Sequence, residues 1–277
     1  MKTIHTLLLI ALVFVLGCFY AYYQYKTNRD YQPATFWQSS NESNQAIIDH
    51  SLWQLVLDEY LVSDDPSGVN LVDYQGLVDE PGELRDYLSN LMSLDPRDYN
   101  RAEQFAYWVN LYNALTMQVV VDHYPVDSIL KISSGPLPSG PWDEKLATIA
   151  GQEISLNDIE HRILRAFWKE PRIHFAVNCA SIGCPNVQAR AFTSKNTASL
   201  LELAARQFLQ HTRGLEITSD GLKLSSIFDW YQEDFGSNET EVLEFLAKYF
   251  EPEIQAKMMA MAKDVSYDYD WTLNDIE

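Results

Sequence analysis

A chain of 277 residues, 47% hydrophobic and 13% aromatic, can bury the core of one domain with room for a helical extension. Its 39 acidic residues against 20 basic ones leave a formal net charge of −19. That charge argues against nucleic-acid backbones and against broad adhesion to anionic lipid, both of which need clustered Lys and Arg.

The chain opens on a targeting signal. Lys2 precedes an apolar run from Ile4 to Tyr23 with no formally charged residue, close to the roughly 20 residues a helix needs to cross a bilayer. Within it Val15-Leu16-Gly17-Cys18 resembles a bacterial lipobox, in which cleavage before the cysteine leaves the thiol acylated. The aromatic stretch Phe19 to Tyr23 departs from the polar linker usual after a lipobox and suits an uncleaved anchor ending at the membrane interface. Lipoprotein signal and transmembrane anchor both remain open. Either one places the rest of the chain beside a membrane, on the extracytoplasmic (periplasmic) side of a bacterial envelope. Residues 1–27 are therefore set apart from the fold, 28–42 read as a polar tether, and 43–277 as one globular domain.

Ser43 is a suitable N-cap, and Ile47, Ile48, Leu52, Leu55, Val56 and Tyr60 recur at helical spacing after it. The segment 64–68 breaks that helix, and Val69 to Tyr74 suits a short strand. A second helix covers Gly82 to Met92. The third, Arg101 to His123, is apolar over much of its circumference and should be central. Asn110 and Asn113 lie three residues apart on it. Asparagine is a poor helix-interior residue, and an unpaired buried amide costs about 1–3 kcal/mol, so both amides need partners. They either hold the backbone of a neighbouring loop or orient a reacting group.

Ser133 to Trp142, with three prolines and two glycines, is expected to be a loop walling a cleft. Leu146 to Ile154 reads as a hairpin turning near Gly151. Ser155 with Asp158 three residues on makes a capping pair for a helix from Leu156 to Trp168. Its apolar face, Ile159, Ile163 and Phe167, puts Glu160 and His161 beside the buried seam, with Arg162 and Arg165 facing solvent or a carboxylate.

Arg172 to Asn178 has the alternation of a buried strand, with Ile173, Phe175 and Val177 on one face and His174, Ala176 and Asn178 on the other. It runs into the small-residue loop Cys179 to Pro185. Cys179 and Cys184, five apart, can pair as a disulfide in an oxidising compartment where local geometry allows. Beyond the loop, Thr193 caps a helix over Ser194 to His211, Leu215 to Ser225 is a second hairpin, and Phe228 to Phe235 packs on the core. Two helices, Glu239 to Tyr249 and Pro252 to Ala262, precede an acidic tail expected to fray.

Three segments together carry a resemblance: 105–114 (FAYWVNLYNA), 155–161 (SLNDIEH) and 172–181 (RIHFAVNCAS), with 224–231 (LSSIFDWY) following in order. The chain resembles the domain of unknown function 547 family over roughly Leu52 to Phe235. That family has no generally established activity. The resemblance implies cysteine-hydrolase chemistry on a papain-like framework, and its matching polar positions are Asn110, Asn113, Glu160, His161, His174 and Cys179.

A cysteine hydrolase needs a thiolate, a base within hydrogen-bond reach and a group that orients the base. Cys179, at the strand end beside Ala180 and Ser181, is the better nucleophile, with Cys184 a structural or resolving thiol. In an extended strand His174 would lie on the opposite face, up to about 16 Å away. His161 comes from another element and escapes that limit. Glu160 points roughly 100° from His161 on a regular helix, and is placed to meet Arg172 or the Asn113 amide instead. No phosphate loop, dinucleotide fingerprint, metal-ligand cluster or Gly-x-Ser-x-Gly elbow is present, so neither a metal nor another cofactor is expected.

The sequence thus points to a helix-rich α+β domain around a small, mostly antiparallel sheet. Its expected activity is thiol-dependent hydrolysis or acyl transfer on an amide or ester of a small molecule, peptide or envelope component. The alternative is a non-catalytic ligand-binding or scaffold module.

Overall fold

The computed structural model describes residues 31–133 and 139–276. The anchor and lipobox of residues 1–27 and the middle of the 133–142 loop lie outside the described residues. No helix among those described is long and apolar enough to cross a membrane.

The expected tether is in part folded onto the body. Thr35–Trp37 makes a 3-10 turn, Trp37 is buried edge-on against Trp108, and the Ala34 N–H donates to the Arg162 carbonyl. Helix α1 then spans Ser51–Tyr60 and does not begin at Ser43. The side chains of Asn41, Asn44 and Asp49 accept the N–H groups of Ser43, Ala46 and Ser51. These local bonds offer the backbone an alternative to the helix, and here they win.

Strands β1 (Leu61–Val62) and β2 (Leu71–Val72) pair antiparallel. Helices α2 (Tyr74–Asp79) and α3 (Gly82–Met92) lead to Asn100, whose side chain accepts from the N–H groups of Ala102 and Glu103 and so caps α4 (Arg101–Val121). Every residue of α4 from Glu103 to Met117 is buried, the condition that its all-round apolar sequence implied.

The hairpin β3 (Ala147–Ile149) and β4 (Gln152–Ile154) turns at Ala150 and Gly151. Both have positive φ, 45° and 76°, as a tight two-residue hairpin turn requires. Ser155 and Asp158 exchange cap bonds as expected: the Asp158 carboxylate accepts from the Ser155 N–H, and the Ser155 hydroxyl from the Asp158 N–H. The helix that follows is not regular. Asp158–Leu164 is a π-helix, and only α5 (Arg165–Trp168) is α-helical. Such wide turns occur most often at functional sites.

The Arg172–Asn178 strand does not form. Pro171–Phe175 is a 3-10 turn, with Pro171 at its start and the Glu170 side chain accepting from the Arg172 N–H. Among the described residues no neighbouring strand supplies a ladder. The Asn113 amide takes that place, donating to the Ala176 carbonyl at 2.9 Å and accepting from the Asn178 N–H at 2.8 Å.

Helix α6 (Thr197–Leu209) follows a reciprocal Thr193–Asn196 bond pair. Strands β5 (Leu215–Ile217) and β6 (Leu222–Ser225) form the second expected hairpin. Short helices α7 (Ile227–Trp230) and α8 (Gln232–Phe235) carry the aromatic–acidic segment, ahead of α9 (Glu239–Ala247) and α10 (Pro252–Ala260).

The tail does not fray. Val265–Asp268 is β7, parallel to β6, and the chain beyond bridges Leu273 to Ser181 and Asp275 to Val72. The described architecture is thus α+β, but its strands make three small sheets rather than one. Two apolar cores underlie them, one around α4 and one around Phe175, Phe208, Phe228 and Leu243. The 171–177 segment spans both, since Ile173 and Ala176 belong to the first core and Phe175 to the second.

Candidate functional site

The thiol loop is held from three sides. Asn113 fixes its entry. Asn178 spans its two ends, accepting from the Ala180 N–H at 2.7 Å and donating to the Pro185 carbonyl at 2.7 Å. The tail grips its middle, where the Ile182 and Gly183 N–H groups donate to the carbonyls of Thr272 and Asp270, both at 2.8 Å. A Cβ on Gly183 would stand 2.7 Å from the Asp270 backbone nitrogen, so only glycine fits. Ala180, directly after Cys179, sits at φ 57°. An L-residue in this region carries a cost of about 1–2 kcal/mol, and such strain gathers at functional sites.

Cys179 is half-buried and Cys184 buried. Their sulfurs are 3.0 Å apart, and the Cys179 N–H donates to Cys184 Sγ. Around Cys179 Sγ stand the Tyr269 hydroxyl at 2.9 Å and the Ser181 hydroxyl at 3.3 Å, themselves 3.0 Å apart. Burial opposes a charge on Cys179, but hydrogen bonds from Cys184, Ser181 and Tyr269 outweigh it and hold the thiol below its ordinary value. Burial and the neighbouring sulfur push Cys184 well up. The pair therefore loses its first proton from Cys179, with the Cys184 S–H and both hydroxyls as donors. Burial likewise keeps Tyr269 protonated.

Arg213 closes the loop from behind, donating from Nη1 to the Ile182 carbonyl at 3.0 Å. It has no carboxylate partner among the described residues, and its buried Nε meets no acceptor. Burial draws it down to about 10 while Cys184 and Tyr269 pull the other way.

The partners described for the two candidate bases are charged side chains. His174 Nε2 meets Asp234 Oδ2 at 2.6 Å and its Nδ1 faces Glu160 Oε1 at 3.5 Å, while the ring stacks on Tyr231 at 4.2 Å. Burial disfavours its charge, but hydrogen bonds to both carboxylates prevail, and His174 is raised. With an acidic group facing each ring nitrogen, the charged form of the ring is favoured. His161 Nδ1 lies 3.1 Å from Arg165 Nη1. A guanidinium can only donate, so Nδ1 is the acceptor and the neutral ring carries its proton on Nε2. Burial takes His161 down to about 4, Glu160 opposing and Arg165 assisting.

Glu160 is buried in the π-helix and meets neither Arg172 nor Asn113. Its Oε2 accepts from the Tyr112 hydroxyl at 3.1 Å, and it is held at about 2, where His161, His174 and Arg165 overcome its burial. Arg172 pairs with Glu170 and Glu202. Asn110 is spent on both backbone groups of Phe192, beyond the end of the thiol loop. Both asparagines are thus loop-holding amides.

Sequence reasoning missed Tyr269, Asp234 and Arg213. The first was legible in principle: Val265, Tyr267, Tyr269 and Trp271 alternate with Ser266, Asp268 and Asp270, the period of a strand. Tyr269 also opens an aromatic rim, with Trp230 at 4.9 Å and Trp271 at 4.6 Å, and Trp142 packs edge-on against Trp271. Among the described residues no group of three or more His, Cys, Asp or Glu is arranged to hold a metal ion.

Fold and site together define an α+β domain that displays a paired thiol on a braced loop. Residues 96–209 match the family described as "Protein of unknown function, DUF547", and this segment belongs to that family. The match covers α4, the π-helix and both cysteines and stops short of 224–231. No curated protein and no solved structure matches the chain.

Proposed function

We propose that the domain is a thiol-dependent hydrolase or acyl transferase acting on an amide or ester, with Cys179 as nucleophile. The single observation that carries this is the half-buried Cys179 sulfur, which stands within hydrogen-bond reach of the Ser181 and Tyr269 hydroxyls and of the Cys184 sulfur. A thiolate stabilised by donors needs no histidine to take its proton. The Cys179 thiolate attacks the carbonyl carbon, the C–N or C–O bond breaks and the leaving amine or alcohol takes a proton from water; water or an acceptor then attacks the thioester, its C–S bond breaks and the thiolate returns. Tyr269, protonated throughout, is placed to donate to the developing negative charge. Asn113 and Asn178 are positioning residues. The substrate is a peptide or envelope component, met at the extracytoplasmic face to which the N-terminal segment tethers the domain. One observation favours the second reading, a non-catalytic binding or scaffold module: the partners described for His161 and His174 are charged side chains, Arg165 and Asp234.

Labelling decides between them. Under the catalytic reading, iodoacetamide modifies Cys179 at neutral pH faster than a free-thiol control. Tyr269→Phe removes one hydrogen bond worth about 0.5–1.5 kcal/mol, so it raises the thiol pKa by up to about one unit. Labelling only after unfolding, with no response to Tyr269→Phe, supports the binding module.

A further inference from the structure

We propose that Cys179 and Cys184 are a reversibly oxidisable dithiol, which a hydroperoxide closes into an intrachain disulfide. The proposal uses the same sulfur as the nucleophile above, but it does not require that any acyl substrate exist.

The geometry divides the two roles. Cys179 is half-buried whereas Cys184 is only 4% exposed, so Cys179 is the one nearer to solvent. Their sulfurs, 3.0 Å apart, need to close by about 1 Å to reach bonding distance. The backbone between them is already gathered. Asn178 ties Ala180 to Pro185, the residues that adjoin the two cysteines on the loop, and the tail holds Ile182 and Gly183 in place. Ring closure therefore orders little that is not ordered already, the usual obstacle to so short a loop. Arg213, half-buried with no carboxylate partner among the described residues, donates to the same loop and favours negative charge there.

The chemistry balances without a metal or second protein. The Cys179 thiolate attacks the distal oxygen of the hydroperoxide, the O–O bond breaks, and a sulfenic acid and an alkoxide or hydroxide form, the latter taking a proton from water. Cys184 sulfur then attacks Cys179 sulfur. The S–O bond breaks, and the hydroxide leaves with the Cys184 proton as water. Two electrons have passed from the sulfur pair to the peroxide. An external thiol reverses the change by exchange at Cys179, the one nearer to solvent.

Tryptic cleavage after Arg172 and Arg190 leaves both cysteines on one peptide, residues 173–190. The full-length chain is exposed to hydrogen peroxide, trapped with N-ethylmaleimide under non-reducing conditions and digested. The expected result is joint loss of both maleimide labels from this peptide, a mass lower by two hydrogens than the unlabelled dithiol, and recovery of both labels after dithiothreitol. In Cys184→Ala, Cys179 should instead be captured by dimedone as the sulfenic acid and then pass to sulfinic acid. The proposal is overturned if both labels persist, or if Cys179 reaches sulfinic acid while Cys184 is present. Disulfide closure with no hydrolytic turnover would leave this inference standing and the hydrolase reading fallen. Rapid iodoacetamide labelling without closure would do the reverse.

Discussion

Adjacent residues of α4 support two regions of opposite character. Tyr112 reaches the charge network of Glu160, His174, Asp234 and Arg165, while Asn113 reaches the loop that carries Cys179. In the first region every ionised group meets an opposite charge. In the second the Cys179 sulfur meets neutral hydroxyls and belongs to a half-buried residue. A histidine between two carboxylates favours its charged form; a sulfur beside two hydroxyls has neighbours able to stabilise a thiolate. Residue type alone would have given both to catalysis.

The largest effect should come from breaking the network. Glu160→Ala strips His174 of one carboxylate and orphans the Tyr112 hydroxyl. Losing one partner of a buried pair costs about 3–5 kcal/mol, measurable by urea unfolding. If Cys179 keeps its labelling rate in the folded variant, the two regions are independent; if the rate changes, the contrast between them is too sharp.

A smaller effect separates the asparagines. Asn110 and Asn113 each bond one backbone N–H and one carbonyl, so replacing either with Ala should cost a similar amount, about 1–3 kcal/mol. Only Asn113→Ala should also change Cys179 labelling, because only Asn113 holds the loop entry. Equal labelling in both variants would remove the positioning role.

The smallest effect is on the pH dependence of stability. His174 is raised from 6.5, so its contribution is whole below 6.5 and is lost as pH rises through the folded value. His161 and His50 are lowered from 6.5 to about 4, so each costs stability as pH falls between those values. Glu160 and Asp234, both at about 2, add a loss as pH falls from their unfolded range towards that value. The histidine contributions together put the optimum near 6.5. In urea midpoints against pH, His174→Gln should flatten the alkaline side, by no more than about 1.4 kcal/mol per pH unit. His161→Gln should only soften the acid side, since His50 shares it. An unchanged alkaline slope in His174→Gln would mean that the fold does not favour the charged form of His174.

Local signals carried much of the fold. The Gly82–Met92 helix, the Arg101 start of α4, both hairpin turns and the Ser155–Asp158 cap rest on bonds between residues a few positions apart, so the sequence determined them. Cys179, Ser181 and Cys184 were legible for the same reason, as neighbours on one small-residue loop. Tertiary contacts decided the rest. The alternation of residues 172–178 promised a strand, yet a strand needs a partner ladder, and what arrives there is one amide from α4. The tail from Val265 to Asp275 became β7 and a brace because β6 and the thiol loop offered it partners. Tyr269 comes to Cys179 from 90 positions away, and Asp234 to His174 from 60. Composition and periodicity specify which residues prefer to be buried or turned. Which donor meets a sulfur, and which carboxylate claims a histidine, is settled only when distant segments pack against one another, because those bonds do not exist until the chain has closed.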